Sequence, residues 1–113
     1  MNEMFQLEGT TLRIILPQEL DHPMADLIRK GTEMIAGRTY IRTIVFDFSE
    51  TEFMDSSGIG VLLNRYKQME RNGGKITMYG VGAQIKRVLS IGGVLRLVEC
   101  CETKEAAAKA ERR

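Results

Sequence analysis

"TIVFDFSETEFMDSSGIGVLLNRYKQM", Thr43 to Met69, holds the transition that decides the fold. Its first part has a continuous apolar core at Ile44, Val45 and Phe46, the pattern of a strand covered on both faces. Its second part sets Ile59, Leu62, Leu63, Tyr66 and Met69 at three-and-four spacing, the mark of a helix with one buried side, and the Gly73-Gly74 pair closes it. "DSSGIG", Asp55 to Gly60, falls between them, at a strand's carboxyl end and a helix's amino end. Ligands most often bind at such places in α/β sheets.

The flanking segments repeat the alternation. "TTLRIILP", Thr10 to Pro17, is β-branched and aliphatic and stops at a proline, as a strand does. Phe5 to Leu7 can pair with it through a turn at Glu8-Gly9, which opens the fold with an antiparallel hairpin. Met24, Leu27, Ile28, Met34 and Ile35 mark a helix that Gly37 ends, with Asp21 or His22 as its cap and Pro23 in its first turn. Lys75 to Tyr79 alternates as a strand, and a short helix around Ile85, Val88 and Leu89 stops at Gly92-Gly93. "VLRLVE", Val94 to Glu99, reads as another strand. Thr103 to Ala110 reads as a last helix, capped by Thr103, with Glu105 four residues before Lys109 and Glu111 to Arg113 expected to fray.

Strands separated by helices need crossover connections, so the expected fold is α/β, one domain over residues 1–113 with a mixed, mostly parallel sheet and helices packed on it. A length of 113 residues suits one core. Sixteen Lys and Arg against fifteen Asp and Glu leave a formal charge of +1, and the basic residues are scattered, so nothing draws nucleic acid or an anionic membrane. With no membrane span and no cleavable leader pattern, the expected location is the cytoplasm. Cys100 and Cys101 are neighbours and cannot staple distant segments. With one histidine they lack metal-ligand spacing, so no metal is expected, and both read as small strand-end or loop residues.

The serine turn admits four readings. As a nucleotide loop it lacks a Lys-Ser/Thr after a six-residue glycine loop, and Gly58-Ile59-Gly60 has no third glycine at dinucleotide spacing. As a nucleophile elbow it lacks glycines two residues either side of a serine, and the only available base is His22. As a phosphorylation site it presents a hydroxyl at a helix amino end, where the dipole tolerates the added charge. As plain structure, Ser56 or Ser57 is a helix cap, with Gly58 and Gly60 allowing close packing.

"ELDH" at Glu19 to His22, "IVFDFSETEFMDSSGIGVLLNRYKQM" at Ile44 to Met69 and "GGKITMYGV" at Gly73 to Val81 together resemble the STAS-domain anti-sigma factor antagonists, on their sporulation branch. The resemblance spans essentially the whole chain. It implies a regulator rather than an enzyme, with no cofactor of its own. The unphosphorylated form would bind an anti-sigma factor that is also a serine kinase and so free the sigma factor. Phosphorylation of Ser56 would switch binding off, and a PP2C-type phosphatase would restore it. Asp21, His22, Asp55, Ser57, Gly58 and Gly60 would then line the partner-binding surface, with Asp55 orienting the turn rather than acting as a base. The alternative within the same fold is a module sensing a nucleotide or other small ligand. One departure is the loop before "ELD", which commonly carries a glycine in the family and here has Pro17 and Gln18.

Overall fold

In the computed structural model the described residues are 3–111, with side chains described through Ala107. The opening hairpin joins β1 (Phe5–Glu8) to β2 (Thr11–Ile15), paired antiparallel with Phe5 opposite Ile14 and Leu7 opposite Leu12. Gly9 makes the turn at a φ of 60°, a left-handed conformation that glycine adopts without strain. Next come β3 (Glu19–Leu20), α1 (His22–Ala36), β4 (Thr43–Asp47), β5 (Phe53–Met54) and α2 (Ser56–Arg71). The chain finishes with β6 (Lys75–Tyr79), α3 (Ala83–Ile91), a 3-10 turn at Val94–Arg96, β7 (Glu99–Cys101) and α4 (Lys104–Glu111).

The main sheet has the order β1-β2-β4-β6-β7, parallel throughout except for the β1–β2 hairpin. The expected mixed, mostly parallel sheet with packed helices is therefore what forms. Side chains alternate across it. Leu12, Ile14, Ile44, Phe46, Ile76 and Met78 point to one face, where α1, α2 and α3 cover them in the principal core. Val45, Tyr79 and Cys101 point to the other and meet Ala107 of α4 in a small second cluster. All five residues of β4 are buried, as its unbroken apolar run foretold.

Several expectations change in detail. The buried stripe of α1 is Ala25, Ile28, Thr32 and Ile35, while Leu27 and Met34 are exposed at its flanks. The buried stripe of α2 is Gly58, Val61, Leu62, Arg65 and Met69, with Ile59, Leu63 and Tyr66 only partly covered. β6 does not alternate between core and solvent. Four of its five residues are buried, because α4 covers the face that a polar–apolar alternation would leave wet.

"VLRLVE" is not a strand. Gly93, at a φ of 81°, turns the chain into the 3-10 turn, which tucks Val94 into the core, and β7 begins only at Glu99. Cys100 and Cys101 therefore lie within β7. The last helix and its Thr103 cap form as read, Thr103 Oγ1 accepting from the Ala106 N–H at 3.0 Å. The Glu105–Lys109 pair involves a side chain beyond those described; of the residues expected to fray, Glu111 is the last residue of α4, and Arg112 and Arg113 lie outside the described residues.

β3 and β5 are two residues each and form a separate two-stranded parallel sheet, Glu19 beside Phe53 and Leu20 beside Met54. The Gln18 carbonyl anchors it by accepting from the Glu52 and Phe53 amides at 2.8 and 3.0 Å.

Candidate functional site: the serine turn and its groove

The small sheet brings the starts of two helices together. Each strand runs directly into an aspartate with the same extended backbone, Asp21 at φ −104° and ψ −172°, Asp55 at φ −103° and ψ −171°. Asp21 Oδ1 accepts from the Met24 N–H at 3.3 Å, and Asp55 Oδ1 accepts from the Ser57 N–H at 2.8 Å. Both are N-caps, and the Asp55 amide donates to the Leu20 carbonyl at 3.3 Å, which ties one cap to the other's strand. The structural reading of Ser56 or Ser57 as the cap is corrected here. A carboxylate already holds the free amide, and the serines become the first two residues of α2.

Ser56 is exposed, and among the described residues nothing binds its hydroxyl. Ser57 turns into an open groove of about 280 Å³ between α1 and α2, together with His22, Asp26, Arg29, Gly60 and Asn64. His22 thus comes to the same groove as Ser57, but among the described residues it makes no hydrogen bond to either serine or to a carboxylate. The wall opposite the serines carries both signs of charge. Asp26 bonds Arg29 at 2.6 Å and Lys30 at 3.0 Å, and these hydrogen bonds, Lys30 first, hold its carboxyl below the usual aspartate range.

The two glycines of the turn have different reasons. A Cβ on Gly58 would lie 2.5 Å from Met54 Cγ and 3.0 Å from Leu20 Cδ2, so this buried glycine serves the packing under the turn rather than an outward contact. A Cβ on Gly60 would meet nothing within 4 Å. Gly60 lies within a helix, where glycine costs about 1 kcal/mol relative to alanine, and nothing inside the fold requires it.

Of the residues singled out in the sequence, Asp21, His22, Asp55, Ser56, Ser57 and Gly60 converge at this end of the molecule, and Gly58 lies beneath it. Asp26, Arg29 and Asn64 were missed. Their signal was present as helical spacing, His22 to Asp26 to Arg29 and Ser57 to Gly60 to Asn64. Phe53, on β5 and 52% exposed, was also missed. Among the described residues no group of three His, Cys, Asp or Glu side chains is placed to hold a metal ion, and no helix is long and apolar enough to cross a membrane.

Residues 5–107 match the family model described as the STAS domain. The chain is 33% identical over 100 residues to an anti-sigma F factor antagonist of Paenibacillus polymyxa, covering 87% of this chain and 86% of that protein. Among solved structures it resembles the anti-sigma factor antagonist SpoIIAA in its unphosphorylated form, with a TM-score of 0.82, 30% identity and 96% of each chain covered. It also resembles the Bacillus cell fate determinant SpoIIAA in the phosphorylated form, with a TM-score of 0.72, 28% identity, and 94% of this chain and 98% of that one covered.

Proposed function

Since this chain belongs to the STAS domain family, we propose that it is an anti-sigma factor antagonist whose binding is switched off by phosphorylation of Ser56. The partner is an anti-sigma factor that is also a serine kinase, and docking on the end of the molecule bearing Asp21, His22, Asp55, Ser57 and Gly60 displaces the sigma factor. The observation that carries this reading is an exposed, unbonded serine hydroxyl at a rigidly capped helix start, beside a groove containing a glycine that the fold itself does not need.

The chemistry asks little of this chain. The γ-phosphoryl group passes from ATP to Ser56 Oγ, the hydroxyl proton goes to a base on the kinase, and ADP leaves; magnesium and the base are the kinase's. Asp55 keeps its carboxylate on the Ser57 amide and so fixes the direction in which Ser56 is offered. The product carries about −1.5 to −2 charges at the amino end of α2. The helix dipole tolerates that charge, so the fold persists, while a docked surface complementary to the neutral serine is repelled. A PP2C-type phosphatase that hydrolyses the ester restores the binding form.

The test is mass spectrometry after incubation with ATP and the kinase partner. One phosphate on Ser56 is expected, and Ser56→Ala should remain unmodified yet still bind. Ser56→Asp should bind more weakly. Full phosphorylation of Ser56→Ala would show that the site is elsewhere.

A further inference from the structure

A second cavity lies toward the other end of α1 and α2. It has a volume of about 400 Å³, within the range of small-molecule sites, with Ile41 and Met69 giving it apolar walls and Thr39, Gln68 and Asn72 giving it polar ones. Arg65, in the buried stripe of α2, forms part of the wall. It is nine residues past Ser56, roughly 13 Å along the helix at ~1.5 Å per residue, and although the serine groove reaches its neighbour Asn64, the two cavities share no lining residue.

Arg65 is buried with too little to balance it. Its side chain is 3% exposed, and its Nε has no hydrogen-bond partner. Nη2 donates to Asn64 Oδ1 at 2.6 Å and to Glu33 Oε2 at 3.4 Å. Glu33 is 48% exposed and also pairs with Arg29 at 3.5 Å, so its charge is divided between two guanidinium groups. Burial pulls Arg65 below the ordinary arginine range despite Glu33, the sign of a cation incompletely compensated. A buried N–H without an acceptor costs about 1–3 kcal/mol, a cost that the closed-off Nε bears. Nη1, which also makes no hydrogen bond among the described residues, keeps accessible surface and is the nitrogen left for a ligand in the cavity.

We propose that this cavity binds a small organic carboxylate, with Arg65 as its counter-ion. A guanidinium presents planar, parallel N–H groups that match a carboxylate, and one buried positive charge suits one negative charge rather than a phosphate dianion. Of the exposed charged residues that adjoin a residue of the cavity wall in sequence, Arg38, Arg42, Lys67 and Arg71 outnumber Glu33 and Glu70, so the local balance favours an anion. The carbonyl ends of both helices would oppose it, but their cap amides blunt them. The Gly37 N–H donates to the Glu33 and Ile35 carbonyls, and the Asn72 N–H to those of Gln68, Met69 and Glu70. Ile41 and Met69 take the apolar body, and Gln68 and Asn72 take its polar substituents.

The experiment is titration of the ¹⁵N-labelled protein with sodium benzoate against matched sodium chloride, with benzamide as the neutral isostere. Expected are saturable shifts of the Thr39, Ile41, Gln68 and Asn72 amides and of the Arg65 Nε–H, with residues 55–60 unmoved and no response to benzamide or chloride. Arg65→Met should weaken benzoate roughly tenfold or more. Ala36→Phe, at an exposed helical position on the cavity wall, should abolish binding in a folded protein whether or not Arg65→Met folds. The absence of saturable shifts, an equal response to benzamide, or binding that survives Ala36→Phe overturns the proposal.

Discussion

Asp47 ends β4, and its buried carboxylate takes four donors. Oδ1 accepts from the Ser49 amide at 2.9 Å and the Ser49 hydroxyl at 2.6 Å, while Oδ2 accepts from the Tyr79 hydroxyl at 2.7 Å and Arg13 Nη1 at 3.4 Å. Burial alone would raise its pKa, but the bonds from Ser49 and Tyr79 and the charge of Arg13 outweigh it, and the net shift is downward from 3.8. The stability this lends is complete above the unfolded value of 3.8 and is lost as pH falls through the lower folded value. Urea midpoints followed from pH 7 to pH 2 should therefore drop more steeply below pH 4 in the native protein than in Asp47→Asn. An equal drop in both would remove Asp47 from the account. At the same scale, the turn's glycines should behave oppositely. Gly58→Ala should cost about 1–3 kcal/mol by overpacking Met54. Gly60→Ala should gain about 0.5–1 kcal/mol. If Gly60 faces the partner, the same alanine should weaken docking despite the firmer fold, a split that denaturation and affinity measurements read separately.

Between elements, the strap of β3 on β5 is what makes one site from two distant loops. It holds the caps Asp21 and Asp55 side by side, each satisfying an amide of its own helix. Asp21→Ala and Asp55→Ala should each lower stability by about 0.5–2 kcal/mol. If Ser56 is the acceptor, as proposed, their effects on phosphorylation should differ, since only Asp55 bonds the backbone next to it. A kinase assay at matched folded fraction should show the larger rate loss for Asp55→Ala, and equal losses would mean that the turn is held by the strap rather than by the cap. The element that the sequence misassigned, "VLRLVE", shows the converse. Its β-branched and aliphatic residues suit a strand, but the left-handed Gly93 directs Val94 into the core and the 3-10 turn follows.

Across the whole molecule, the sheet is covered unequally. Three helices close one face over the large core, whereas the other has the cluster of Val45, Tyr79, Cys101 and Ala107 under α4. β4 and β6 are paired on both sides, and β1 is an edge. Hydrogen exchange should accordingly be slowest at the amides of β4 and β6, opening only with global unfolding, and faster at β1 and α4. Uniform protection across these elements would contradict that ordering. Cys100 belongs to the same picture, since burial raises its thiol's pKa, with Glu102 adding to the rise and Lys86 opposing it. Its alkylation near neutral pH should be slower than that of the unfolded chain.

The sequence by itself determined the order and type of the long elements, the hairpin, the mostly parallel sheet and the position of the serine turn at a helix start. These follow from periods of two and 3.6 residues and from glycine, proline and cap preferences, all of which act within a few neighbouring residues. Only the tertiary structure decided the rest. Two-residue strands carry no period, so the pairing of Glu19 with Phe53 exists only once the sheet has brought them together. The choice of Asp55 over the serines as cap depended on which side chain the folded turn aimed at the free amide. Gly58 and Gly60 are identical as letters, and they parted because one lies against Met54 and Leu20 while the other faces open space. Arg65, polar by type, was buried because α1 and α2 pack across it, a pairing between residues 32 apart that no local pattern encodes.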